Sequence, residues 1–140
     1  MPDTTILLPM LAMAALTFVV SFLIPLRRFS KKHGLSQDDF ALGESARVPA
    51  EVSLPNRNFA NLFEAPVLFY PAVLAFYVTG STDVIAIGLA WGYVALRTLH
   101  SVIHVTSNTV RFRALYFTLS MLALIGMWGL LAWRILVPAG

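Results

Sequence analysis

The chain has 140 residues, 58% hydrophobic and 12% charged, with a formal net charge of +3 and a mean hydropathy of +0.75. Soluble domains carry about 25% charged residues, so these proportions exclude an ordinary soluble fold and indicate a polytopic membrane protein. The lack of cysteine excludes disulfides, thiolate metal sites and a cysteine nucleophile, and the basic residues flank apolar runs, a pattern that suits anionic lipid head groups and not nucleic acid.

Four segments are long and apolar enough to cross a bilayer, approximately residues 4–26, 59–80, 81–105 and 114–137. The first has no ionisable side chain. Asp3 precedes it, and Arg27, Arg28, Lys31 and Lys32 follow it. A secretory signal has the opposite charge order, so this span is expected to be retained with its N-terminus outside. Residues 27–58 form the one substantial polar loop. In the second span, Pro66 and Pro71 each remove a backbone donor and should bend the helix. The connection Thr79-Gly80-Ser81-Thr82 is a tight turn of helix breakers. The third span contains Gly88 and Gly92 at the spacing that permits close helix approach. A second short connection, 107–112, leads to the fourth span, which contains Trp128 and Trp133 as interfacial anchors or packing residues.

The expected fold is therefore an all-α membrane protein of one domain, a four-transmembrane-helix bundle with spans 2, 3 and 4 as sequential antiparallel neighbours. Most basic residues lie on the side of the 27–58 loop. The positive-inside rule puts that side in the cytoplasm and both termini on the non-cytoplasmic side.

Ionisable groups inside spans cost about 2.5–3.5 kcal/mol each on insertion scales, so those present need partners or a purpose. Arg57, Asn61 and Glu64 fall within about 60° of one another on a helical wheel. Arg97, His100 and His104 repeat that spacing on span 3, and Asn108 and Arg111 extend the stripe if the helix continues. Arg97 would then lie about 16 Å deeper than Asn108, with Glu64 as its expected counter-charge. The whole array predicts a polar cavity in the cytoplasmic half, and its surplus of positive charge suits an anionic ligand. His100, His104 and Glu64 also have the composition of a zinc site, but Arg97 opposes a cation, and no metal is expected.

The order Asn61-x-x-Glu64, Arg97-x-x-His100, Arg113 and Phe117-Thr118-Leu119 resembles the MAPEG family, the membrane-associated proteins in eicosanoid and glutathione metabolism. The resemblance covers nearly the whole chain. It implies a homotrimer, with glutathione bound between subunits in the cytoplasmic half and a small lipophilic substrate arriving from the lipid. It carries glutathione-binding roles onto Arg57, Asn61, Glu64, Arg97, His100 and Arg113, with His104 beside them and Arg27 or Arg28 at the end of span 1. Arg113 becomes the candidate catalytic group, and Tyr116 and Phe117 line the substrate path. The chain departs from the family pattern at Ala60, where an Arg is usual, and at His104, where a Tyr is usual. Ala114 and Phe117 replace the Ser and Tyr of the prostaglandin synthase. Enzymatic activity therefore does not follow from the resemblance.

The implied function is glutathione-dependent conjugation or peroxide reduction in a bacterial inner membrane. Two other readings stay open. One is a non-catalytic module whose polar cluster stabilises an oligomer or binds a lipid head group. The other is a small transporter with a proton-coupled Glu64, which the lack of polar residues in the outer halves of the spans disfavours.

Overall fold

The computed structural model describes residues 3–137, and every regular element among them is helical. Helix α1 spans Leu7–Arg28 and α2 is the short Asp38–Ala41 in the polar loop; α3 spans Ala50–Leu62, α4 Pro66–Val78, α5 Val84–Val105 and α6 Val110–Leu136. Four stretches are long and apolar enough to cross a membrane: Thr4–Arg28, Ala50–Val78, Val84–Val105 and Val110–Leu136.

Two boundaries differ from the sequence expectation. The second stretch starts at Ala50, not near residue 59, because Val52, Leu54 and Pro55 are buried while the Ser and Asn residues among them mask the apolar face. The last helix starts at Val110, so Arg111 lies in its first turn and not in the connection, ahead of Arg113 in the same turn. Between α5 and α6, Asn108 adopts a positive φ of 47°, a conformation its short polar side chain tolerates. Helix α5 has already ended, so the expected stripe does not continue through Asn108 and Arg111.

The second span is two helices. Pro66 has no N–H to offer the Leu62 carbonyl, and its ring crowds the preceding turn. Helix α3 therefore stops at Leu62, and Pro66 opens α4 at its first position, where a missing donor costs nothing. The two halves take different neighbours: α3 lies along α1 and α5, and α4 lies along α1 and α6. Spans 2 and 3 are thus adjacent through α3, whereas α4, the half that the tight turn joins to α5, lies mainly against α1 and α6. Their deeper contact runs through side chains, with the Phe69 ring stacked on Tyr93 at 4.5 Å. Phe69, Phe76, Tyr93, Leu124 and Met127 form the centre of a core that Ile6, Met13 and Val20 complete from the first span. Gly88 and Gly92 have open space around them, so this small-residue face is not used for packing within the chain.

Each end of the bundle is tied by an arginine. Pro55 cannot donate to the Glu51 carbonyl, and Val105 is the last carbonyl of α5. Arg27 satisfies both, at 2.7 and 3.0 Å, which joins α1, α3 and α5. At the opposite end Arg134 binds the Ser81 carbonyl and the Asp83 carboxylate. Asp83 also caps α5 by accepting from the Ala86 amide at 2.9 Å, and this amide holds its carboxyl below the usual carboxylate range. We expect Asp83→Ala to lower stability by about 1 kcal/mol, the usual value of a lost cap. A depressed carboxyl stabilises only above its unfolded pKa of about 3.9 and loses that contribution as pH falls through its folded value. In unfolding experiments, the gap between wild type and variant should therefore close in acid.

Candidate functional site

The break between α3 and α4 denies the Asn61 carbonyl the amide four residues on, because α3 ends one residue later, and leaves it only a long bond of 3.4 Å from the Glu64 amide. Arg97, fully buried on α5, fills that position: its Nη2 donates to the Asn61 carbonyl and to Asn61 Oδ1, both at 2.8 Å. A cation at a helix C-terminus is favoured by the helix dipole. The break and the deep arginine thus explain each other. Asn61 Nδ2 then donates to Glu64 at 3.1 Å. Glu64 lies in the break, exposed, and makes no ion pair with Arg97 among the described residues. The expected direct counter-charge is replaced by a relay through Asn61, because the helix ends before Glu64 can join the Arg57–Asn61 face.

Beside this junction is a cavity of about 440 Å³. Arg57 and Asn61 of α3, His100 and His104 of α5, and Arg113, Ala114 and Phe117 of α6 line it. No carboxylate is among them. His100 Nδ1 lies 2.9 Å from the Arg113 carbonyl, and the His100 and His104 rings meet edge to face at 5.5 Å. Arg113 Nη1 donates to Asn108 Oδ1 at 2.7 Å. The Phe117 ring lies 5.4 Å from the Arg97 guanidinium and 5.8 Å from the His100 ring. Several buried polar atoms here have no hydrogen-bond partner among the described residues: Arg97 Nε and Nη1, His100 Nε2, His104 Nδ1, Asn58 Nδ2 and the Tyr93 hydroxyl.

Of the residues expected at the site, Arg57, Asn61, His100, His104, Arg113 and Phe117 converge on one cavity. Arg97 stands behind it and does not line it. Glu64 and Tyr116 are not on its wall. Arg28 is elsewhere, over the Phe40 ring at 4.7 Å and 3.7 Å from Glu44. Arg27, engaged by two carbonyls, is also outside it. Among the described residues no three His, Asp or Glu side chains come together for a metal, and Glu64 does not join the two histidines.

Sequence reasoning missed Asn58 and Ser101. Asn58 is fully buried and accepts from the Ser101 hydroxyl at 3.3 Å. The signal was present, since Asn58 precedes Asn61 by one helical turn and Ser101 follows Arg97 by one.

Fold and site together define a four-span helical membrane protein with a cationic, acid-free cavity beside a broken second span. A family model described as the MAPEG family matches residues 6–133. The match covers nearly the whole chain, and the chain belongs to that family. Neither the curated proteins nor the solved structures contain a match to it.

Proposed function

We propose that this cavity binds glutathione, or a thiol of the same charge pattern, on the cytoplasmic side of a bacterial inner membrane. The observation that carries this reading is the lining itself: Arg57 and Arg113 face a cavity with no carboxylate, next to imidazole nitrogens without partners among the described residues. Glutathione brings two carboxylates, which paired guanidinium groups accept with charge-assisted hydrogen bonds, and its ammonium suits the nearby exposed Glu64. A homotrimer, in which a second copy closes the open side of the cavity, is part of the same reading.

In this scheme Arg113 lowers the thiol pKa by favouring the thiolate. The sulfur forms a bond to an electrophilic carbon of a lipophilic substrate, and the leaving group departs with the bonding pair. With a hydroperoxide, the thiolate attacks the terminal oxygen and the alcohol is released. A second thiol then displaces water to give the disulfide.

A non-catalytic role is the second reading, and one observation favours it: Ala114 and Phe117 stand on the cavity wall without a hydroxyl. Arg113 is then the only matched donor for the sulfur.

Calorimetric titration of reduced glutathione into the detergent-solubilised protein tests the binding, and thiolate absorbance in the ultraviolet tests the activation. Hydrogen bonds to charged groups contribute about 1.5–3 kcal/mol, so Arg113→Ala should weaken binding about 10- to 100-fold and abolish the thiolate signal. No saturable binding at millimolar glutathione, or an unchanged Arg113→Ala titration, overturns the reading. Binding without a thiolate signal in the wild type selects the non-catalytic role.

A further inference from the structure

A second cavity, of about 500 Å³, lies where α1 leaves the membrane and the polar loop begins. Its wall is chemically divided. Arg28, Lys31, Ser36 and Gln37 form a cationic and hydrogen-bonding side, and Phe29, Leu35 and Phe40 form an apolar side. Arg28 is held in place by the Phe40 ring at 4.7 Å, with its Nε buried and without a partner among the described residues. Glu44 is 3.7 Å from Arg28, and its other oxygen accepts from Ser53 at 2.6 Å. Lys31 is exposed and makes no ion pair among the described residues, whereas Lys32 is engaged by Glu51 at 3.1 Å on another face of the loop. Phe29 is 78% exposed and Leu42 fully exposed. Phe29 directly follows the last turn of the membrane-spanning α1, and Leu42 follows α2 in the polar loop.

A free anion needs only the cationic side of such a cavity. An amphiphile with its negative charge joined to an apolar stem uses both sides. We propose that this cavity binds an anionic glycerophospholipid, its phosphate against Arg28 and Lys31 and its glycerol and first acyl carbons against Phe29, Leu35 and Phe40. The lipid would hold the start of the polar loop at the membrane surface.

Native mass spectrometry of the protein with equimolar phosphatidylglycerol and phosphatidylcholine tests this. The wild type should retain phosphatidylglycerol preferentially. A basic side chain at an anionic surface is worth about 1 kcal/mol, or about fivefold, per residue. Arg28→Gln and Lys31→Gln should therefore each reduce the preference about fivefold. Arg28→Lys should keep most of it, and Lys32→Gln should leave it unchanged. Lys31→Gln breaks no ion pair among the described residues and alters only an exposed side chain, so folding does not confound it. Arg113→Ala should also leave lipid retention intact, which separates this site from the thiol cavity.

Equal retention of the two lipids, or an undiminished preference in the Arg28→Gln/Lys31→Gln double variant, overturns the proposal. Displacement by inorganic phosphate alone would make the site one for a free anion, and displacement by glutathione would assign the cavity to the thiol. Either result also overturns it.

Discussion

Asn61→Ala should destabilise the protein by about 2–4 kcal/mol, and more than Arg97→Met does. The Arg97 guanidinium is fully buried, and the bonds to the Asn61 carbonyl and Oδ1 are its only hydrogen bonds among the described residues. Removing Oδ1 leaves a buried cation held by one carbonyl, and unsatisfied buried groups cost about 1–3 kcal/mol, more when charged. Arg97→Met removes the charge together with its desolvation cost. The groups left behind belong to Asn61, which is only half-buried and open to the cavity. Replacing both members of a buried polar pair is commonly less harmful than orphaning one. The double variant Asn61→Ala/Arg97→Met should accordingly be more stable than Asn61→Ala alone. Denaturant titration in mixed micelles, followed by circular dichroism, measures all three. A double variant as unstable as the sum of the singles would mean that the two residues act independently.

Phe69→Ala should cost about 2–3 kcal/mol in the same assay. Phe69 is fully buried at the centre of the bundle and stacks on Tyr93. In water such a truncation costs about 3–5 kcal/mol, the sum of a transfer part and a cavity part. In a bilayer the transfer part largely vanishes, because lipid is as apolar as the core, and lost dispersion contacts remain. Phe22, 68% exposed on α1, is the internal control. It faces the surroundings of the bundle, so Phe22→Ala should change stability by less than about 0.5 kcal/mol. Similar effects at both positions would show that overall apolarity, not packing, sets the stability.

Much of the cavity lining is legible in the sequence. Arg57 and Asn61 share a helical face, as do His100 and His104, and simple periodicity was enough to expect that they meet. The failures have local causes. Glu64 follows the end of α3, so the 100° rule no longer applies to it. Asn108 and Arg111 fall past the end of α5 for the same reason. Arg28 sits one residue beyond Arg27 on the same helix end, and the wheel turns it to a different neighbour: Arg27 reaches two helix-end carbonyls, and Arg28 reaches Phe40 and Glu44.

Hydropathy by itself determined that the chain crosses a membrane with four helices, because the cost of burying charge in lipid leaves few arrangements for so apolar a sequence. The order of its polar residues determined the family. Only the tertiary structure decided which polar groups meet. A proline that breaks one helix exposes a carbonyl, and whether a deep arginine on another helix reaches it depends on how the two helices cross. Local periodicity places residues on a face, but the partner of that face is fixed by packing between segments far apart in sequence.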